Sequence, residues 1–265
     1  MKPRFIRLLP LAFLLLLTCA RAEARPEGFQ TLRAFGSEMP RAPAAARVVN
    51  YGTDGADTQF DLGTADPDTI LQYGRGGDDS QYASGGGAND WIEQDGGDGD
   101  DKQTTYGGTG NDSVYQSGGN GDDTLLAAGN SDNDWIYQSG GAGKDNLDAQ
   151  GGGGNDYIYQ DGGTGDDILR GDGGDGDDLI RINAGSGNDT ITYDESKGAD
   201  QVFIDVGTGT DTLTINTEGQ NFTVVNAQGQ VLYQCGTGGS LITVRNVECI
   251  KVICQNGDVL FLSGC

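Results

Sequence analysis

Every eleventh residue from Asp57 to Asp211 is an aspartate: Asp57, Asp68, Asp79, Asp90, Asp101, Asp112, Asp123, Asp134, Asp145, Asp156, Asp167, Asp178, Asp189, Asp200 and Asp211. The spacing never slips. A fixed short period specifies stacked copies of one small unit, each too small to bury a core alone. The residue two after each Asp is mostly aliphatic, as in Ile70, Ile92, Val114, Leu125, Ile136, Leu147, Ile158, Leu169, Ile180, Ile191, Val202 and Leu213. Its neighbours on both sides are mostly polar or aromatic, which is strand alternation over about five residues. The six residues ending at the Asp are glycine-rich. Gly-Gly-x-Gly-x-Asp stands intact seven times, starting at Gly96, Gly107, Gly118, Gly140, Gly151, Gly162 and Gly173 and ending at Asp101, Asp112, Asp123, Asp145, Asp156, Asp167 and Asp178. Each unit is therefore a tight turn plus a strand, with no helical pattern between strands, and the chain is expected to wind as an all-β parallel solenoid.

A second period sets the size of the coil. The residue four after the Asp shares the inward parity of the aliphatic, and it is glutamine at 72, 94, 116, 138 and 160. The intervening units carry Ala83, Thr105, Ala127, Ala149 and Gly171 there. One coil is thus 22 residues, with two strands on two opposed sheets. Stacked strands lie ~4.8 Å apart, so the glutamines are expected to form a buried ladder of side-chain amides along the axis.

The same stacking puts Asp101, Asp123, Asp145 and Asp167 in one column and Asp112, Asp134, Asp156 and Asp178 in another. Two carboxylates about 5 Å apart repel by roughly 3 kcal/mol at an effective dielectric of about 20. Protonation, basic partners or a shared cation could relieve this. An aspartic acid ordinarily titrates near ~4, which argues against protonation at neutral pH. Between residues 76 and 169 the only basic residues are Lys102 and Lys144. A hard divalent cation with oxygen ligands fits best, with the glycine loops adding backbone carbonyl groups. Turns alone would not require an Asp at every eleventh position.

The repeats Gly107-Gly-Thr-Gly-Asn-Asp-Ser-Val-Tyr115, Gly140-Gly-Ala-Gly-Lys-Asp-Asn-Leu-Asp148 and Gly162-Gly-Thr-Gly-Asp-Asp-Ile-Leu-Arg170 resemble the calcium-binding nonapeptide of the repeats-in-toxin (haemolysin-type) family. That resemblance implies a parallel β-roll with several Ca²⁺ ions bound between loops of successive coils. It implies as ligands the carboxylates of the seven Asp residues ending the intact loops and carbonyl groups of the glycines that begin them. The family repeats every nine residues, whereas this chain repeats every eleven, which lengthens the strand and leaves the loop intact. Two loops are degenerate: Gly129-Asn-Ser-Asp-Asn-Asp134 keeps only its first glycine, and Gly85-Gly-Gly-Ala-Asn-Asp90 lacks its last. These limit the expected number of sites.

Around the repeats, four regions are expected. Residues 1–24 read as a secretory signal, with Lys2, Arg4 and Arg7 before an apolar run from Leu8 to Leu17 that is too short to span a bilayer. Leu16-Leu-Thr-Cys19 also resembles a lipoprotein box, offering anchoring through Cys19 as a less favoured alternative. Residues 25–45 read as a flexible leader, 46–216 as the solenoid, and 217–265 as a small antiparallel β cap with a hairpin at Asn256-Gly257. Gln59 and Gln81 replace the aliphatic in early units and suggest N-terminal capping. Four cysteines, Cys235, Cys249, Cys254 and Cys265, suggest two disulfides in an exported cap. After Asp178 the inward positions become apolar, so the later coils should depend less on metal.

The formal net charge is −24, which argues against nucleic acid and anionic membranes as partners. The chain has no histidine, which removes His-based catalysis and His metal ligands. A catalytic carboxylate pair should break the repeat, and the periodic aspartates follow it, so no enzymatic role is expected. One outward face carries Trp91, Trp135 and Tyr157 in one column and Tyr115, Tyr137 and Tyr159 beside it. A cross-strand ladder explains these better than a sugar-binding platform. The expectation is a secreted or cell-surface bacterial calcium-binding solenoid with a structural or matrix role. A carbohydrate-binding adhesin is the alternative, and a polysaccharide-active β-helix enzyme is the second alternative.

Overall fold

The computed structural model describes residues 46–261, apart from 218, 237, 248 and 254–258. The expected signal and leader, the Asn256-Gly257 turn, Cys19, Cys254 and Cys265 lie outside the described residues. The described chain is a parallel β-solenoid of two opposed sheets. One sheet stacks Ala46–Tyr51, Asp68–Gly76, Trp91–Asp98, Ser113–Asn120, Trp135–Ala142, Tyr157–Thr164, Leu179–Ser186 and Gln201–Asp205 in that order. The other interleaves Thr58–Leu62, Ser80–Gly86, Lys102–Thr109, Thr124–Ser131, Asn146–Gly153, Ile168–Asp175, Thr190–Asp194 and Thr212–Asn216. The register steps by 22 residues, pairing Gln94 with Gln116, Gln116 with Gln138 and Gln138 with Gln160. No helix among the described residues is long and apolar enough to cross a membrane.

Parallel stacking continues past residue 216. Ser240–Arg245 pairs with Gln201–Asp205, and Cys249–Ile253 pairs with Thr212–Asn216. Phe222–Asn226 adds in parallel beyond Ser240–Arg245. The antiparallel pairs expected at this end are Phe222–Asn226 with Val231–Cys235, and Cys249–Ile253 with Val259–Phe261. Cys235 is a free cysteine, which corrects the expectation that all four cap cysteines pair, and Cys249 is disulfide-bonded.

The core follows the parity of the repeat. Ile92, Val114, Ile136, Ile158 and Ile180 project from one sheet towards Leu125, Leu147, Leu169 and Ile191 of the other, and all are at most 1 % exposed. Each such side chain contributes roughly 1.5–3 kcal/mol through burial. The glutamine column is likewise fully buried, opposite Ala83, Thr105, Ala127 and Ala149. Each amide group is used twice. Gln116 Nε2 donates to Gln94 Oε1 at 2.9 Å and to Leu126 O of the opposite sheet at 3.0 Å. Gln138 Nε2 donates to Gln116 Oε1 at 2.9 Å and to Asp148 O at 3.0 Å. The ladder therefore ties coil to coil and sheet to sheet, with both amide protons satisfied. Gln59 and Gln81 form a second ladder from the other sheet, Gln81 Nε2 donating to Gln59 Oε1 at 3.0 Å. Gln103 extends the same buried column, a run of three that the sequence displays and that reading Gln59 and Gln81 as caps passes over.

Candidate metal centre

The candidate centre is the line of glycine-rich loops at each edge of the solenoid. In the loop Gly107-Gly-Thr-Gly-Asn-Asp112, Gly108 and Gly110 have φ of 117° and 109°, a region that costs a residue with Cβ. Gly107 is required by space: a Cβ built on it would lie 2.6 Å from Asp112 Oδ2 and 2.8 Å from Gly129 O of the next coil. The same carboxylate crowds the first glycine of every intact loop, at Gly96, Gly107, Gly118, Gly140, Gly151, Gly162 and Gly173. Glycine at that corner lets the Asp side chain turn inward.

The turned-in carboxylates are buried: Asp101, Asp112, Asp123, Asp145, Asp156, Asp167 and Asp178 are at most 3 % exposed. Their two oxygens have different environments. Oδ1 accepts the backbone N–H of the Asp one coil earlier, as in Asp101 N to Asp123 Oδ1 at 2.8 Å and Asp112 N to Asp134 Oδ1 at 2.8 Å. Oδ2 of all seven is buried and has no hydrogen-bond partner. Burial is the largest influence on these groups and raises their pKa, against the lowering effect of the backbone hydrogen bond. Asp101 and Asp156 are pushed up to about 6, and Asp112, Asp123, Asp145 and Asp178 to about 7. Asp167 is raised for the same reason. Protonation is therefore a real alternative to a cation, which corrects the inference from the ordinary aspartate value.

The degenerate loops keep the geometry. Asn130 and Asp132 adopt φ of 82° and 73°, replacing two of the loop glycines, and Asp134 remains fully buried with Oδ2 unpartnered. Its pKa is raised to about 8, chiefly by burial. Asp90 at the other degenerate loop is also buried and raised to about 6, chiefly by burial. Losing glycines does not remove the inward carboxylate: Asn130 and Asp132 tolerate the left-handed region better than most residues, and Ala88 adopts it at φ of 66°.

The residue before each Asp forms an outer ladder of opposite sense. Asp122 N donates to Asp100 Oδ1, one coil back, at 2.8 Å, and Asn155 N donates to Asn133 Oδ1 at 2.6 Å. These side chains are exposed. Adjacent amides in one loop are thus held by carboxylate or amide oxygens from above and below. The alternation of Asn and Asp at this position was visible in the sequence, but its direction was not.

Each loop can present one buried carboxylate oxygen close to a backbone carbonyl group of the next coil. This oxygen-only set is the chemistry of a hard cation, not of zinc or a soft metal. Among the described residues no point gathers three or more His, Cys, Asp or Glu side chains around one ion. The columns thus fit a cation that takes single carboxylate oxygens and completes its shell with carbonyl groups and water. The outward aromatic residues form self-covering stacks. Tyr115 lies 4.8 Å from Tyr137, Tyr137 lies 5.2 Å from Tyr159, and Trp135 lies 4.8 Å from Tyr157, all with near-parallel rings. The chain matches no family model, no curated protein and no solved structure.

Proposed function

We propose that this protein is an exported calcium-binding β-solenoid with a structural or surface-associated role. The observation that carries this reading is the buried, unpartnered Oδ2 repeated from Asp101 to Asp178. An ionised carboxylate left this way costs several kcal/mol, and a hard cation answers it with the oxygen donors that the loops offer. Calcium suits it better than magnesium, which demands a tight octahedron and keeps its water. The glycines at positions 96, 107, 118, 140, 151, 162 and 173 supply carbonyl groups and the space for the carboxylates. The basic start and ten-residue apolar run at the N terminus support export to compartments rich in calcium. The strong negative charge supports calcium, not nucleic acid or anionic membrane, as the partner. A sugar platform is less favoured, because rings stacked on each other present their edges.

The test is a Ca²⁺ titration of chelator-treated full-length protein at neutral pH, followed by far-UV circular dichroism and calorimetry. Bound ions should raise stability by RT ln(1 + [L]/Kd) at each site, with ordering of the loops from Gly96 to Asp178 and measurable heat. Magnesium should substitute poorly. A complete β spectrum without calcium, together with no heat on adding it, would leave proton-sharing aspartates as the correct account of the columns.

A further inference from the structure

One corner of the solenoid departs from the repeat at several residues together. Glu195 stands where preceding coils carry Gly129, Gly151 and Gly173, five residues before the periodic aspartate. Tyr193 stands in the inward column of Ala127, Ala149 and Gly171. Ser240 replaces the carboxylate that would cap the next amide: Asp200 N donates to Ser240 Oγ at 3.0 Å, where the other periodic amides of this column meet an aspartate. Glu195, Asp200 and Ser240 are each 1 % exposed, and Tyr193 is fully buried.

We infer that Glu195, Asp200, Tyr193 and Ser240 form a separate buried site for one divalent cation, of the calcium class. Glu195 faces Tyr193, Asp200 and Ser240; the Ser240 and Tyr193 hydroxyls lie close enough to act on its buried carboxylate as weak donors, but neither of its oxygens has a partner of full hydrogen-bond geometry. The well-formed bond of the Tyr193 hydroxyl goes to Asp200 Oδ2, at 3.0 Å. The nearby loop lysine does not neutralise the pair, because Lys197 turns outward to Asp175 at 3.0 Å. Two buried carboxylates with no basic partner among the groups acting on Glu195 carry, when ionised, two charges that one divalent cation would compensate. The donors are all oxygen, from two carboxylates, a phenol and an alcohol, which suits Ca²⁺ and excludes a thiolate- or imidazole-seeking metal. The preceding coils carry glycine at this corner and the next carries Thr217, so neither supplies a second carboxylate and this site is a feature of one coil and not of the repeat.

This inference does not rest on the loop columns binding calcium, and one measurement separates the two. Metal-stripped full-length protein is dialysed against CaCl₂ and the bound Ca²⁺ is counted by atomic spectroscopy. The comparison is wild type against Glu195→Gln and Asp200→Asn. Asn retains Oδ1 as acceptor for the Asp178 amide, which meets Asp200 Oδ1 at 3.0 Å. Each variant should bind one ion fewer than wild type, with the remaining count unchanged. If the loops bind none, wild type should hold a single ion and both variants none. Should Glu195→Gln fail to fold, Glu195→Gly, which restores the residue of the coils before it, gives the same comparison. Equal counts in wild type and folded variants overturn the site and assign the corner to a carboxyl pair sharing a proton.

Discussion

The backbone N–H of Asp123 donates to Oδ1 of Asp145, 22 residues later, at 2.9 Å. The adjacent amide of Asp122 points the other way, to Asp100 Oδ1 at 2.8 Å. Side chains thus replace the strand ladder where the chain turns, and the turn itself is bonded from coil to coil. A charge-assisted bond of this kind is stronger than a neutral one, but it serves only one carboxylate oxygen. The other oxygen makes these loops sensitive to protons and, on the proposed reading, to cations.

That sensitivity has a sign. Asp112, Asp123, Asp145 and Asp178 are raised to about 7 and Asp134 to about 8, from an ordinary 3.8, chiefly by burial. Without metal, the folded protein holds protons that the unfolded chain releases, so its stability falls as pH rises. The contribution of these groups is complete below their unfolded value and is lost as pH passes through about 6 to about 8. In chelator, the thermal midpoint should therefore decline between about pH 5 and about pH 8. Saturating calcium should flatten that decline, since it favours the ionised carboxylate. A midpoint in chelator that climbs over the same interval contradicts the burial of Oδ2.

Gln138→Leu should destabilise the solenoid. Gln138 Nε2 is the ladder donor to Gln116 Oε1, and Gln160 Nε2 donates to Gln138 Oε1, both at 2.9 Å. Gln160 keeps Arg170 O at 2.9 Å, whereas Gln116 Oε1 loses its ladder donor. A buried polar atom left without a partner costs roughly 1–3 kcal/mol. Urea unfolding in calcium measures it, and an unchanged midpoint would show that the amides act independently.

Ala88→Gly should stabilise. Ala88 has φ of 66° in the degenerate loop ending at Asp90, where intact loops carry glycine. Relief of a left-handed non-glycine residue offers roughly 1 kcal/mol, reduced by the extra freedom of the unfolded chain. The thermal midpoint should rise by about 2–4 °C per kcal/mol for a domain of this size. A lower midpoint would mean that the backbone at this loop is not held in the left-handed region.

Tyr137→Ala should cost stability rather than affinity for a ligand. Its ring is stacked between Tyr115 and Tyr159 at 4.8 and 5.2 Å and is only 4 % exposed. Truncating a buried aromatic costs roughly 3–5 kcal/mol. Glycan-array binding by wild type that vanishes in a still-folded Tyr137→Ala protein would restore the platform reading.

The period of eleven determined much by itself. It named the residues that share a column, and strand parity then told which of them face inward. The buried Gln116–Gln138 pair, the Ile136–Ile158 stack and the two-sheet coil all follow from counting, because each strand repeats the same geometry every 22 residues. Counting could not tell whether Asp134 is charged, because ionisation depends on the solvent removed by the surrounding coils. It could not orient the rings of Trp135 and Tyr157, whose stacking depends on side-chain torsions and on the twist between strands. Nor could it join Glu195 to Ser240, which lie 45 residues apart in sequence and meet only because Ser240–Arg245 stacks directly on Gln201–Asp205. Desolvation and contacts between segments far apart in sequence are properties of the packed molecule, and only the tertiary structure decided them.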